Sequence, residues 1–130
     1  MKENNGLLFI EWRKKAEEDL ASAKILLEHN GAGGTICFLC QQAAEKILKG
    51  FLAYHSRSLL KIHQLDKLLL DCIEIDEALV SLKEPAISLN DYYIETRYPA
   101  DMPEGISVDQ AKEAVRMADS IFVGIIAKVG

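Results

Sequence analysis

Apolar residues recur at three- and four-residue intervals along most of the chain, the spacing of amphipathic helices rather than strands. Trp12, Ala16, Leu20, Ala23 and Leu27 form one stripe and predict a first helix from about Phe9 to His29. Asn30-Gly31-Ala32-Gly33-Gly34 should stop it, because Asn and Gly enter the left-handed backbone region at least cost. A second helix is predicted from about Thr35 to His55, with Cys37, Cys40, Ala44, Ile47, Phe51 and Tyr54 facing inward. Arg57–Ile62 reads as a connection. A shorter helix, His63 to about Cys72, turns Leu65, Leu68, Leu69 and Cys72 to the core.

The fourth segment runs from Asp76 to about Glu95, with Leu79, Leu82, Ala86, Leu89 and Tyr93 on its stripe. Pro85 interrupts it. Proline costs about 3 kcal/mol inside a helix, so the segment must kink near Glu84 or divide into two helices there. Tyr98–Gly105 holds Pro99, Pro103 and Gly105 and reads as a loop. Ser107-Val108-Asp109-Gln110 fits a capping box, and Ala111, Ala114, Val115, Ala118, Ile121, Phe122 and Ile125 carry a final helix to about Lys128. There is no internal repeat and no convincing alternating run. The expected fold is all-α: one domain, residues 1–130, forming an up-and-down helical bundle of four to five helices.

Length and composition fit this picture. With 130 residues, 49% of them hydrophobic, the chain can bury a core of its own. No apolar run approaches the roughly 20 residues that span a bilayer, and the patch Leu7–Ile10 is too short for a signal peptide. A cytoplasmic protein with no membrane contact is expected. A net charge of −5 argues against gripping duplex DNA.

Several familiar chemistries are absent from the sequence. It has no Glu-x-x-His for a di-iron bundle, no phosphate-binding Gly-x-x-x-x-Gly-Lys loop and no Gly-x-Ser-x-Gly. Cys37-Phe38-Leu39-Cys40 has C-x-x-C spacing, a redox pair or half a zinc site. With no second pair, and with Phe and Leu between, two buried core residues is the better reading. No metal or cofactor is expected. Gly31–Gly34 precedes a helix and could hold an anion, though a tight turn explains it more simply. His29 and His55 sit at helix ends, where an imidazole suits the dipole, and read as structural. Lys14–Glu18 and Lys15–Asp19 are spaced to pair across one turn.

Two polar groupings remain. At 100° per residue Gln41, Gln42, Glu45, Lys46 and Lys49 fall within one arc of the second helix. Taken alone they read as an exposed face, although Phe38 and Leu52 share the arc. His63 begins the third helix and has the chemistry of a general acid or base. Arg97 and Tyr98 close the fourth segment. An arginine can grip a phosphate and a tyrosine can stack on a base, or the arginine can pair with an acid and hold a corner of the bundle.

Three stretches taken in order, Gln42-Ala43-Ala44-Glu45-Lys46-Ile47-Leu48-Lys49, His63-Gln64-Leu65 and Tyr93-Ile94-Glu95-Thr96-Arg97-Tyr98-Pro99, resemble the HEPN domain family. The resemblance runs from Trp12 to about Ile126. It implies a bundle of four or five helices that often dimerises, that binds nucleotides or RNA, and that in prokaryotes accompanies a minimal nucleotidyltransferase, in some pairs as toxin and antitoxin. Other members are metal-independent ribonucleases with four to six residues between a catalytic Arg and His. No histidine follows Arg97 here. Arg57 and His63 have the spacing but lie earlier than the family's motif. The expected function is therefore a nucleotide- or RNA-binding module with a nucleotidyltransferase partner. Its ligand-binding site would join Gln41, Glu45, Lys49, His63, Arg97 and Tyr98, with the polar arc and Arg97 facing across a cleft. The alternatives are a ribonuclease using His63 and Arg57, or a purely structural bundle that binds a partner. A homodimer is expected through apolar flanking positions that include Phe38, Leu52, Ile106 and Ile126.

Overall fold

A computed structural model describes residues 2–58, 61–93 and 105–129. Among the described residues five α-helices pack as a bundle and no strand is found: α1 (Lys2–Glu28), α2 (Gly33–Tyr54), α3 (Leu65–Ile75), α4 (Lys83–Asn90) and α5 (Val108–Val129). A 3-10 turn, Glu77–Leu82, joins α3 to α4. The long helices α1, α2 and α5 form the body of the bundle, and α3 and α4 close one side of it. None of the described helices is long and apolar enough to cross a membrane.

The helix α2 is central, touching α1, α3, α4 and α5. Ala43, Ala44 and Ile47 are buried, and so are Leu48, Phe51 and Leu52 on other sides of the same helix. A helix flanked by four others is largely enclosed, and this corrects the exposed-face reading of the polar arc: Gln41, Glu45 and Lys49 are buried, while Gln42 and Lys46 are partly exposed. It also removes Leu52 from any free apolar face. Ile106 and Ile126 likewise pack against the chain's own core.

Local signals set the helix ends. Asn30 takes φ 57°, while the N–H of Gly31 donates to the Leu26 carbonyl (2.6 Å) and that of Asn30 to Leu27 (3.4 Å), closing α1 with a Schellman motif. The end of α2 repeats the pattern with Ser56 at φ 58° and Arg57 N–H on Leu52 (2.8 Å). A serine is less at ease there than glycine. Asn5 of α1 holds it, its Nδ2 donating to the Tyr54 carbonyl (3.1 Å) and to Ser56 Oγ (2.6 Å). α1 therefore extends upstream of the expected Phe9, as far as Lys2. The capping box is formed: Gln110 N–H donates to Ser107 Oγ (3.1 Å) and Ser107 N–H to Gln110 Oε1 (2.9 Å).

The fourth segment divides into two elements. The break falls between Leu82 and Lys83, and Pro85 stands in the first turn of α4, where its missing N–H has no intrahelical partner to lose. α4 ends at Asn90, short of the expected Glu95, so Tyr93 lies beyond the helix. The expected Lys15–Asp19 pair gives way to Lys46, whose Nζ meets Asp19 at 2.6 Å across the α1–α2 interface. Arg13 and Glu17 form an i,i+4 pair on α1.

Small residues let α1 and α2 approach closely. A Cβ added at Gly50 would lie 2.9 Å from the Cβ of Trp12, an atom fixed to its backbone. All three cysteines are buried and free. Burial pushes the Cys37 thiol up to about 11, against a hydrogen bond with the Tyr92 side chain, and the Cys40 and Cys72 thiols up to about 12. Cys37 and Cys40 are thus neutral core residues.

This packing can be tested at two glycines. Gly50→Ala should destabilise the protein in urea titrations: overpacking costs about 1–3 kcal/mol, outweighing the roughly 1 kcal/mol gained in helix propensity. Gly6→Ala, with nothing within 4 Å of the new Cβ, should hold or raise stability. Equal effects at the two sites would contradict the close-approach account. The thiols carry a pH dependence. Unfolded cysteine ionises near 9.0, and the folded thiols keep their protons to about 11 or 12. Above pH 9 the unfolded chain binds fewer protons, so this contribution is complete below pH 9 and is lost as pH rises through 11–12. The decline of the urea midpoint above pH 9 should be shallower in Cys72→Ala, and an unchanged slope would remove the effect.

Candidate functional site

Gln41, Glu45 and Lys49 stand four residues apart on α2, one above another on a single face. Their exposures are 0%, 6% and 9%, so this is a buried polar stripe inside a mainly apolar helix. Removing a carboxylate from water is expensive unless it is fully bonded. Glu45 meets that demand with partners on both oxygens. Lys49 Nζ donates to Oε2 (2.9 Å), Gln41 Nε2 donates to Oε1 (3.2 Å), and the ring Nδ1 of His63 lies 3.1 Å from Oε2. The Glu-before-Lys order at i,i+4 is the favourable one on a helix.

His63 comes from the connection before α3 and is held twice. Its ring meets Glu45, and its backbone carbonyl accepts from Gln41 Nε2 (3.3 Å). Gln42 Nε2 donates to Gln41 Oε1 at 2.7 Å, which orients the Gln41 amide with its nitrogen toward Glu45 and His63. In the tautomer that donates Nδ1–H to the carboxylate, Nε2 is the acceptor. The His63 side chain is 43% exposed while that of Glu45 is 8% exposed, so a buried anion supports a half-exposed imidazole.

The other wall of the site comes from the end of α4. Asn90 Oδ1 accepts the Leu65 N–H (2.8 Å) and Asn90 Nδ2 donates to Asp66 Oδ1 (2.7 Å), so a residue from another helix caps α3. Gln64, at the cap position, makes no side-chain capping bond. Tyr93 then lies flat on His63, with ring centroids 4.9 Å apart and planes 13° apart. Lys61, His63, Gln64, Asn90 and Tyr93 line a cleft of about 290 Å³.

The described structure thus brings together Gln41, Glu45, Lys49 and His63 of the expected site. Arg97 and Tyr98 lie outside the described residues, as does the cleft expected between Arg97 and the polar arc. Arg57 pairs with Glu74 of α3 (3.1 Å), both side chains exposed, while His63 turns to Glu45. Lys61, Gln64, Asn90 and Tyr93 were not selected from the sequence. Tyr93 carried a signal, being an aromatic beyond the stripe's last aliphatic position. Asn90 and Gln64 carried none. Among the described residues no group of three or more His, Cys, Asp and Glu stands together to hold a metal.

The HEPN domain family matches residues 10–123. The crystal structure of TT1696 from Thermus thermophilus superposes with a TM-score of 0.81 at 31% identity, over 92% of this chain and 97% of that one. The crystal structure of ST0689, an archaeal HEPN homologue, superposes with a TM-score of 0.76 at 25% identity, over 94% and 98%. No curated protein matches the chain.

Lys49→Met should expose the energetics of the buried stripe. Stranding one member of a buried ion pair costs about 3–5 kcal/mol, whereas replacing both members by groups of similar shape is far milder. The Glu45→Gln/Lys49→Met double variant should therefore recover much of the loss in chemical denaturation. A double variant no more stable than Lys49→Met would contradict the pairing.

Proposed function

The chain belongs to the HEPN domain family, and on that premise we propose that it is a module that binds a nucleotide or RNA and acts beside a minimal nucleotidyltransferase. The observation that carries the binding half is the buried Glu45 carboxylate, bonded to a half-exposed His63 that stacks on Tyr93 and lines a cleft. Aromatic faces receive bases, and an imidazole with a lysine nearby receives phosphate oxygens. Arg97 and Tyr98 belong to this reading as sequence candidates, by the same chemistry. Family membership supports the partner and the toxin–antitoxin-like arrangement. A homodimer belongs to the same proposal, and the exposed Leu7, Leu8 and Ile10 of α1 offer apolar surface for it.

A second reading has an observation in its favour. A carboxylate on one nitrogen of a histidine fixes the tautomer that makes the other nitrogen a general base, the arrangement of hydrolytic triads. Glu45 and His63 have that relation, which suits attack by a ribose 2′-hydroxyl. The Arg57 of that reading pairs with the exposed Glu74 of α3 and is absent from the described lining of the His63 cleft.

Nucleotide-dependent thermal stabilisation, followed by scanning fluorimetry, tests the two readings. In the binding module Arg97→Ala and Tyr93→Ala should each remove it, since loss of a stacking ring costs about 1–3 kcal/mol, and the wild type should not cut RNA. Chelator-resistant cleavage of single-stranded RNA, reduced about 10²–10⁴-fold in His63→Ala, would reject the module and establish the ribonuclease.

A further inference from the structure

The cleft's own chemistry narrows its ligand, granted that it binds a nucleotide at all. Its volume, about 290 Å³, sits at the lower edge of the roughly 300–1,000 Å³ range of small-molecule pockets. Lys61 is the one lysine or arginine among its described lining residues, and it forms no ion pair within the described structure. The Gln64 amide is likewise uncommitted there. Asn90 has less to offer, because its carbonyl oxygen and one of its N–H groups are already engaged by Leu65 and Asp66. His63 presents the edge of its ring that Glu45 does not occupy, and its stack with Tyr93 brings two ring systems to the cleft lining.

Glu45 and Lys49 neutralise each other on α2, and Asp66 sets a carboxylate beside Asn90. Among the described residues that leaves Lys61 as a cation without an acid, with an amide and an imidazole beside it. A single phosphate monoester carries about −1.5 to −2 at neutral pH and suits such a set. A triphosphate does not, since triphosphate sites gather a glycine-rich backbone, lysine and metal ions around the chain. A second cleft, of about 430 Å³, lined by Asn5, Tyr54, His55 and Ser56, has less to offer a phosphate. Its described lining has no lysine or arginine, and the Asn5 amide is bonded to Tyr54 and Ser56.

We infer that the cleft of Lys61, His63, Gln64, Asn90 and Tyr93 recognises a nucleoside bearing one phosphate, with Lys61 and Gln64 on the phosphate and the base continuing the His63–Tyr93 stack. This inference rests on the nucleotide-binding reading above. A free mononucleotide and a phosphorylated RNA end share that chemistry.

The test is a titration of the full chain with four sets of probes, each read by chemical-shift changes at His63 and Tyr93. The sets are the four ribonucleosides, their 5′-monophosphates, their triphosphates, and a tetraribonucleotide with and without a 5′-phosphate. A monophosphate should bind more tightly than its nucleoside and its triphosphate. Lys61→Gln should weaken the monophosphate about fivefold, the scale of an exposed ion pair, and leave the nucleoside unchanged. If the phosphorylated tetranucleotide exceeds the free monophosphate, the source is an RNA end; the reverse order identifies the mononucleotide. Tighter binding of triphosphates, or equal binding of nucleosides, overturns the single-phosphate inference while leaving nucleotide binding in place. Binding by none of the probes overturns both.

Discussion

One buried carboxylate governs the layout of this bundle's polar corner. Glu45 lies on the helix that the others surround, and its charge has to be met by donors within reach of a fixed backbone. Lys49 and Gln41 come from the same helix and reach it by periodicity alone. The remaining partner, His63, comes from a different segment and arrives only if the connection after α2 runs back along α2 by about three turns. Meeting the charge therefore fixes the course of the connection. It also fixes the start of α3 and, through Asn90, the end of α4. Tyr93 follows directly and closes on the imidazole.

Close packing on the other sides of the same helix is what takes this charge out of water, and its bonded partners are what make that tolerable. Ala16 and Ala23 of α1, Ala43 and Ala44 of α2, and Ala111, Ala114 and Ala118 of α5 are buried, and Gly50 brings α1 within contact of the α2 backbone. Close approach raises the number of dispersion contacts per residue and excludes water from Glu45. Exclusion of water strengthens each bond to the carboxylate and raises the penalty for losing one. Tight apolar packing and the polar stripe are two aspects of one arrangement.

Much of this was legible in the chain. The stripes of α1, α2, α3 and α5 follow from spacing, and the Asn30 stop and the Ser107–Gln110 box follow from local chemistry that needs no tertiary context. The polar arc was visible as a grouping, but its burial was not. Periodicity reports which residues share a face, and it is silent on whether a helix has neighbours on one side or four. The same gap explains why Leu52 looked like a flanking surface residue. Tyr93 extends the three- and four-residue spacing past the end of α4, although the helix stops at Asn90 and the ring is used against His63. Asn90 and Gln64 enter the site through contacts between segments far apart in the chain, which local pattern does not encode.

Burial of the polar stripe does not by itself assign the corner a structural role. An apolar group of similar shape in place of a buried ion pair is often neutral or stabilising, so closing α2 against the connection does not call for the stripe. The bond from Gln41 to the His63 carbonyl is a second tie on that connection, one that does not involve the side chain at position 63. The imidazole adds a titratable ring whose buried side rests on an anion and whose outer side faces a cleft that holds Lys61. Packing requires neither the ring's exposure nor its orientation. Both are what a group needs if it is to meet a ligand from a fixed position, and they are the ground for proposing that the corner binds one.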